Sequence, residues 1–253
     1  MKINKIRVSG SVIFFADRMM KKFNLKRLTD NTSPVVVYGL YTASDFHFLQ
    51  THKPFKIVLW RGSDAMKIDS QRAAIVLKEK NCKHYAASEN VQSSLARFGI
   101  DSEVFPITST SVNIDAAPRG DSVYCYVGNK APSTLMRYRI KILKRLENEL
   151  PYKFIYTTFD KYNYQELLNV YRKCFIGVRL LDHDGMSNSI LEMGLMGRRT
   201  ISNSGLPLTI KWRHEDDIRD SIEKEYSIRK EDNKHIHDEY YKLINIGEKW
   251  LEI

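Results

Sequence analysis

Short apolar runs alternate with amphipathic stretches along the first half of the chain. Clusters of β-branched and aromatic residues predict strands, and apolar residues at helical spacing predict helices over residues 69–80 and 89–98. The second helix stops before Gly99, a typical helix C-cap. The strands predicted in this half are residues 6–8, 34–38, 56–60, 84–87 and 103–105. Strands that alternate with helices in this way are typical of parallel α/β architecture.

Residues 106–118 interrupt the alternation. Their sequence, PITSTSVNIDAAP, begins and ends with proline and contains neither Lys nor Arg, which is typical of an interdomain linker. The alternation then restarts, with strands predicted over 123–127, 153–156, 176–180 and 200–203, and helices over 134–149, 164–174 and 187–196. We therefore expect two domains, 1–117 and 118–253.

Two α/β halves of similar size, joined by a linker, predict an α/β fold of two Rossmann-like domains facing a cleft. Ligands of open α/β sheets bind outside the carboxyl ends of the strands. We therefore expect the functional site to face that cleft.

Composition excludes several classes of protein. With 253 residues and 43% hydrophobic content, the chain can bury substantial cores, which argues against a disordered protein. Its three cysteines lie far apart and form no C-x-x-C pair, so neither a disulfide framework nor a structural zinc site is predicted. No apolar run reaches the roughly 20 residues that span a bilayer, and the N-terminus lacks a signal-peptide pattern. We expect a cytoplasmic protein.

The net charge of +10 favours an anionic partner, which the charge alone leaves open between nucleic acid, a phosphorylated small molecule and an acidic membrane face. The first 30 residues carry eight Lys and Arg against Asp17 and Asp30. A basic face of this kind can dock on anionic lipid, so peripheral membrane contact is one expectation. Nucleic acid is not the expected partner, because the sequence shows no RNP, KH, helix-turn-helix or zinc-finger signature.

Residues 177–203, GVRLLDHDGMSNSILEMGLMGRRTISN, carry the densest chemistry. The pattern predicts a strand, then a turn at Asp184 and Gly185, then a helix that starts near Ser187–Ser189. Amides at a helix start, together with the helix dipole, attract an anion such as phosphate. Asp184 and Glu192 are eight residues apart, and a carboxylate in this position can accept hydrogen bonds from vicinal hydroxyls.

Two simpler interpretations of this segment stay open at the level of sequence. Ser189 and Glu192 fit the S-x-x-E capping box, in which Glu192 would only close the helix N-terminus. Asp182 and Asp184 form a D-x-D with His183 between them, which is a possible metal site, although turn-forming Asp residues are far commoner than metal ligands.

The D-x7-E spacing from Asp184 to Glu192 resembles the E-x7-E segment of GT-B retaining glycosyltransferases, particularly family 4. The resemblance implies that this segment holds a nucleotide-diphosphate sugar, with Asp184 on the sugar side and Glu192 on the ribose. It also implies that Gly185, Met186 and the amides of residues 187–189, Ser187, Asn188 and Ser189, contact the sugar and the diphosphate. Here the first Glu of the motif is an Asp, one methylene shorter.

Other segments follow the same order. KIVLWRGSDAM, residues 56–66, resembles the N-domain strand and loop that relatives continue with HGSD, and Arg61 stands where many carry His. Arg61 and Asp64 are therefore candidates for residues near the reacting sugar or acceptor, the alternative being a surface Arg and an N-cap Asp. SENVQSSLARFGIDSEVFPI, residues 88–107, resembles the last N-domain unit. YVGNK, residues 126–130, lies where the family has a phosphate loop, so Gly128 and Lys130 are candidates, with Arg179 as a further positive charge.

The resemblance implies transfer of a sugar from a nucleotide-diphosphate sugar to an acceptor hydroxyl of a glycan or glycoconjugate, with retention and without a metal cofactor. It also implies that the last helix, which ends in GEKWLEI, crosses back to the first domain. Three alternatives stay open: a non-catalytic GT-B-like binding module, because fold does not fix activity; a hydrolase that uses Asp184 and Glu192; and a basic nucleic-acid-binding protein.

Overall fold

A computed structural model describes residues 2–158, 162–182 and 184–252. The chain divides into two compact units: one runs up to Ser111 and includes the chain from Leu243 onward, and the other is Val112–Lys242. Each unit contains a parallel sheet with helices, so both have α/β architecture. No helix in the described part of the chain is long and apolar enough to cross a membrane.

The first unit is built on a sheet of six parallel strands, counted over its described residues. They are β1 (Lys5–Val8), β2 (Lys26–Arg27), β3 (Val35–Tyr38), β4 (Lys56–Trp60), β5 (Cys82–Ala86) and β6 (Glu103–Val104). Their spatial order is β2-β1-β3-β4-β5-β6. Every residue of β3 and β4 is buried, as expected for central strands of a parallel sheet that is covered on both faces.

The first unit's helices begin with a 3-10 helix, Gly10–Phe15, that continues directly into α1. The α-helices are α1 (Ala16–Lys22), α2 (Ala43–Thr51), α3 (Ser63–Met66), α4 (Ser70–Lys78) and α5 (Glu89–Ala96). The predicted helices 69–80 and 89–98 are confirmed as α4 and α5, with slightly shorter bounds. Asp69 caps α4 by accepting a 2.8 Å hydrogen bond from the amide of Arg72.

The second unit has a four-stranded parallel sheet in the order β10-β9-β7-β8, within the residues described there. Its strands are β7 (Ser122–Tyr126), β8 (Lys153–Thr157), β9 (Cys174–Val178) and β10 (Thr200–Ile201). Its helices are α6 (Pro132–Arg137), α7 (Ile140–Glu149), α8 (Tyr164–Arg172), α9 (Asn188–Leu195), α10 (Glu215–Ser227) and α11 (Lys234–Ile244), the last of which runs into the first unit.

One predicted helix of the second unit is wrong in its continuity. The pattern over residues 134–149 predicts a single helix, but the chain breaks between α6 and α7 at Arg139, whose φ of 55° lies in the left-handed region. The break turns the ring of Tyr138 into the core, where it meets the ring of Tyr126 edge-on at 5.4 Å. Burial of a large ring at this point explains how a non-glycine residue is held in a conformation that L-residues disfavour.

Alternation of side chains along the central strands places two hydrophobic layers on the first sheet. Val35 and Val37 enter one cluster, whereas Val36 and Tyr38 enter the other. The second cluster also contains residues from the C-terminal end of the chain. Trp250 packs its ring edge-on against Phe23 at 5.1 Å, so a short 3-10 helix, Lys249–Leu251, completes the first unit's core.

Candidate functional site

Arg179 and Asp184 form a mostly buried ion pair just beyond the carboxyl end of β9. The Nε atom of Arg179 contacts Oδ2 of Asp184, and Nη2 lies 3.2 Å from Oδ1, so the contact is bidentate. Burial acts to lower the pKa of Arg179, but the carboxylate of Asp184 outweighs it and the pKa is raised above its ordinary value. Arg179 therefore remains a fixed positive charge.

Two tyrosine rings hold the guanidinium of Arg179 in place. Its Cζ atom lies 4.5 Å from the centre of the Tyr126 ring and 5.4 Å from that of Tyr138. A guanidinium over aromatic faces gains cation–π attraction and loses side-chain freedom. The break before α7, which buries Tyr138, thus contributes to the position of the charge.

The loop that follows β7 carries Gly128 and Lys130. Gly128 has a φ of 72°, and a Cβ atom there would lie 2.6 Å from Cγ2 of Thr134 and 2.7 Å from Cε2 of Tyr138. Glycine is required here because both the backbone conformation and the closeness of α6 exclude a side chain. Asn129 accepts a 2.9 Å hydrogen bond from the amide of Ala131, and Lys130 is exposed.

Small polar side chains lie at the start of α9, as predicted. Ser187 is the N-cap residue, and its Oγ lies 2.9 Å from Oγ of Ser189. The side chains of Ser187, Asn188 and Ser189 are half-buried, Gly185 precedes them and Met186 is buried. The first amides of an α-helix have no acceptor within the helix, so this turn offers donors to an anion.

Glu192 does not form the capping box that the sequence left open. Because Ser187 is the N-cap, Ser189 and Glu192 are the second and fifth residues of α9, whereas a capping box pairs the N-cap with the third residue. Glu192 is only 1% exposed, and its Oε2 accepts a 3.2 Å hydrogen bond from the hydroxyl of Tyr171.

Glu192 ends a buried chain of hydroxyl groups that the sequence did not reveal. Thr157 donates to the hydroxyl of Tyr124 at 2.8 Å, and the hydroxyls of Tyr124 and Tyr171 are hydrogen-bonded to each other. Burial, then Tyr124, then Glu192 raise the pKa of Tyr171 well above its usual value, so its phenol stays protonated as a donor. These residues come from β7, β8 and α8, and nothing in their local sequence signals the contact.

Asp64, in the first unit, has its carboxylate occupied by the backbone. It accepts amide hydrogen bonds from Arg61, Gly62 and Ala65 at 2.8–3.0 Å, and a 3.4 Å contact from Leu40. Burial raises the pKa of Asp64, and these amide donors act in the opposite direction. Because Gly62 is the N-cap of α3, the N-cap interpretation of Asp64 is wrong. Asp64 fixes the loop after β4 and ties it to the end of β3.

Arg61 is not a plain surface residue either. It is half-buried, its Nη1 donates to the carbonyl of Ile107, and its guanidinium lies 5.1 Å from the centre of the Tyr38 ring. Arg61 and Asp64 therefore belong to one loop at the carboxyl end of the first sheet, and both are held by the first unit's own residues.

The D-x-D interpretation finds no support among the described residues. Asp182 is exposed and forms an ion pair with Arg139, whose Nη2 lies 2.9 Å from both Oδ1 and Oδ2. Asp184 pairs with Arg179. His183 lies outside the described residues. Within residues 2–158, 162–182 and 184–252, no group of three or more His, Cys, Asp and Glu could hold a metal ion.

A cavity of about 390 Å³ opens in the first unit away from these residues. It lies between β1, the 3-10 helix and residues 27–31, and its wall includes Arg7, Ile13, Arg27, Asp30 and Phe48. Arg7 is held there by a 2.7 Å ion pair with Asp45. Neither Arg61 nor Asp64 lines this cavity, so we do not take it as the candidate site. The Arg179–Asp184 pair and the Arg61–Asp64 loop instead lie where α/β sheets bind ligands.

No protein-family model matches the chain, and no curated protein sequence matches it. The chain does match solved structures. The lipopolysaccharide outer core galactosyltransferase WaaB, in its apo form, aligns with a TM-score of 0.53 at 12% identity, covering 94% of this chain and 78% of WaaB. A mutant of TarM from S. aureus, solved with fondaparinux, alpha-GlcNAc-glycerol and UDP, aligns with a TM-score of 0.50 at 12% identity. The alignment covers 91% of this chain and 59% of TarM.

A chain of a glycosylation-associated protein complex from Streptococcus agalactiae aligns with a TM-score of 0.48 at 7% identity, covering 84% of this chain. The chain spans about half of that protein's length, 51%. The fold is established by the WaaB and TarM alignments: this is an α/β protein with the two Rossmann-like domains of GT-B glycosyltransferases, as the sequence predicted.

Proposed function

We propose that the protein is a glycosyltransferase that moves a sugar from a nucleotide-diphosphate sugar to an acceptor hydroxyl of a glycan or glycoconjugate, with retention. The observation that carries the proposal is the fixed cation of Arg179 beside the start of α9, both following β9 in a fold of GT-B type. A permanent cation and a helix N-terminus suit a leaving diphosphate.

In this proposal, residues of the second unit contact the diphosphate. The amides at Ser187–Ser189 donate to the phosphates, with Gly185 and Met186 passing close to the donor, and Arg179 and Lys130 balance the charge that develops as the sugar leaves. Gly128 lets the loop approach the ligand without a side chain. Metal is not required in this scheme, because cations of the chain neutralise the diphosphate.

The carboxylates have separate roles. Glu192 accepts hydrogen bonds from the ribose hydroxyls, supported by Tyr171. Asp184 lies on the sugar side and orients Arg179. In the first unit, Arg61 meets the acceptor side, and Asp64 acts through the loop it holds, since its oxygens already accept amide hydrogen bonds.

A thermal-shift screen against UDP-, GDP-, ADP- and CMP-sugars tests the proposal. We expect one nucleotide family to raise the melting temperature, and calorimetry of that ligand against Lys130→Ala to show several-fold weaker binding, because Lys130 contributes a charge-assisted contact. Lys153→Ala is the matched control, as Lys153 is exposed but starts β8 at the amino end of the sheet. Stabilisation by oligonucleotides alone would reverse the proposal in favour of nucleic-acid binding.

A non-catalytic binding module is the second candidate, and one observation favours it: Asp184 is already paired with Arg179, and the Asp64 carboxylate is occupied by amides. The two functions separate in a product assay. A donor that binds and is consumed with a glycan acceptor identifies the transferase, and proton NMR of the new linkage reads out retention. Binding without turnover of any acceptor identifies the module.

Membrane contact is proposed for the basic N-terminal face. Ile13 and Phe14 in the first 3-10 helix are 47% and 45% exposed, and Arg18 and Lys21 follow in α1. Apolar side chains beside cations match an anionic bilayer surface. We expect co-sedimentation with phosphatidylglycerol vesicles that falls in Ile13→Asp/Phe14→Asp. Met136→Asp, at an exposed apolar residue of the second unit, should leave it unchanged.

A further inference from the structure

Two cations of the first unit donate to the chain segment that follows β6. Arg61 directly follows β4, and Lys22 is the last residue of α1. The Nζ atom of Lys22 donates to the carbonyls of Thr110 at 2.8 Å and Ile244 at 3.3 Å, while Arg61 donates to the carbonyl of Ile107. Residues 107–110 therefore hold both cations by main-chain oxygens.

Neither cation has an acidic partner among the described residues. Among these residues the structure shows no ion pair for Lys22 or Arg61. The carboxylate of Asp64, in the same loop as Arg61, accepts hydrogen bonds from backbone amides. Burial, followed by the positive charge of Arg61, lowers the pKa of Lys22 to about 8. Carbonyl oxygens satisfy hydrogen bonds but supply no net charge, so within the described residues neither cation is neutralised by an ion pair.

A third donor lies beside Arg61. Tyr38, the last residue of β3, is fully buried, and its hydroxyl has no hydrogen-bond partner in the described part of the chain. Its ring stacks under the guanidinium of Arg61, 5.1 Å from Cζ. A buried hydroxyl without a partner costs free energy unless a ligand satisfies it.

We propose that Lys22, Arg61 and Tyr38 form a binding site for an oxyanion in the first unit. Its place beyond β3 and β4 is where open α/β sheets bind ligands. Two cations and a phenol suit a phosphate or a carboxylate, which share the required acceptor oxygens. If the anion belongs to the acceptor, the acceptor carries a phosphate or carboxylate group, and this assignment rests on the proposed transferase function. The existence of the anion site does not rest on that function.

Calorimetric titration of the full chain with inorganic phosphate and with acetate, at constant ionic strength, tests the site. We expect millimolar or tighter binding of one of the two anions, and the stronger one identifies the acceptor's group. Lys22→Met should weaken that binding at least 10-fold. Lys78→Met, at the exposed last residue of α4, should leave it unchanged.

Tyr38→Phe separates a ligand role from a packing role. The variant should fold at least as stably, because it removes an unpartnered buried hydroxyl, yet bind the anion about 5-fold more weakly, since one hydrogen bond contributes about 1 kcal/mol. Lys22→Met should also fold, because the buried charge it removes opposes folding. Anion binding equal in wild type, Lys22→Met and Tyr38→Phe, or absent from wild type, would overturn the site.

The same variants keep this inference distinct from the proposed function. Nucleoside diphosphate binding is assigned to the second unit, so Lys22→Met should bind UDP or its counterpart as wild type does. Loss of phosphate binding with intact nucleotide binding supports the anion site. A wild-type protein that binds phosphate through Lys22 but no nucleotide would overturn the transferase proposal and leave the anion site standing.

Discussion

Charged side chains lie largely out of solvent at several points in this protein, and each has a specific partner. Arg179 pairs with Asp184, Glu192 accepts from Tyr171, and Asp64 accepts from four backbone amides. Buried charges of this kind are strongly destabilising when one partner is removed. Substitutions at these positions therefore change stability as well as ligand binding, and the two effects have to be measured separately.

Glu192 illustrates the separation. Glu192→Ala would leave the Tyr171 hydroxyl without its acceptor and should lower the free energy of unfolding by about 1–3 kcal/mol. Glu192→Gln keeps a carbonyl oxygen for Tyr171, so its stability should stay close to that of wild type. Its affinity for the nucleotide sugar should fall about 10-fold, because a neutral amide accepts ribose hydrogen bonds more weakly.

Urea unfolding and calorimetry on both variants measure these quantities. Asp184→Asn is the companion variant, and it should reduce turnover more than nucleotide affinity, since Asp184 lies on the sugar side of the proposed site. Donor affinity unchanged in well-folded Glu192→Gln would remove the ribose role from Glu192.

His84 makes stability depend on pH. Burial lowers the pKa of His84 to about 4, with Asp101 acting in the opposite direction, and its Nδ1 accepts a 3.3 Å hydrogen bond from Nε1 of Trp60. The unfolded chain binds the proton near pH 6.5, whereas the folded chain does not. The contribution of neutral His84 is therefore complete above pH 6.5 and is lost as the pH falls towards 4.

We expect wild type to lose about 2 kcal/mol relative to His84→Gln between pH 6.5 and 4, an order-of-magnitude figure reduced for the partial exposure of the ring. Urea unfolding of both proteins across that range measures the difference, and the carboxylates common to both cancel. Parallel curves for the two proteins would show that His84 does not titrate in this way.

Loops and helix starts, more than the helices themselves, position the candidate site. The loop after β7 depends on Gly128, and the segment after β9 brings Arg179, Asp184 and the start of α9 together. The break at Arg139 places Tyr138 against Arg179. The first two of these elements link a strand's carboxyl end to a helix, which is where α/β proteins bind ligands.

Gly128→Ala tests the first of these loops. A methyl group would be forced 2.6 Å from Thr134 and into a left-handed backbone, so we expect a loss of about 1–3 kcal/mol in unfolding free energy together with weaker diphosphate binding. Gly10→Ala is the control, because Gly10 has nothing within 4 Å of the added methyl and an ordinary φ. Equal stability of the two variants would contradict the packing argument.

At the scale of the whole molecule, the proposals divide the net charge of +10 among separate binding sites. Arg179 and Lys130 are assigned to a diphosphate, Lys22 and Arg61 to an oxyanion in the first unit, and the basic N-terminal residues to an anionic surface. Anions at each place would offset the repulsion among these cations, which otherwise opposes the compact state.

Metal independence is expected of the proposed transferase. Since Arg179 and Lys130 neutralise the leaving diphosphate in the proposed scheme, sugar transfer should persist in EDTA and gain little from added Mn²⁺. A transferase assay with and without chelator measures this. Activity abolished by EDTA and restored by Mn²⁺ would assign the D-x-D of Asp182 and Asp184 to metal binding instead.

Much of the fold could be predicted because buried central strands leave a strong pattern. PVVVYG and KIVLW are continuous apolar runs, since both faces of a parallel sheet are covered, and they match β3 and β4 closely. The break before α7 could not be predicted, because neither glycine nor proline marks it. Arg139 adopts its left-handed conformation only where the ring of Tyr138 has a core to enter.

The candidate site divides in the same way. The sequence alone determined the α/β class and the strand–turn–helix segment that carries Asp184 and Glu192, because these follow from local periodicity and turn chemistry. Only the tertiary structure decided that Arg179 pairs with Asp184 between two tyrosines, that Tyr171 supports Glu192, and that Lys22 and Arg61 donate to the same segment, residues 107–110. Such contacts join residues of separate elements, and their energies depend on burial and partners that exist only once the chain has folded.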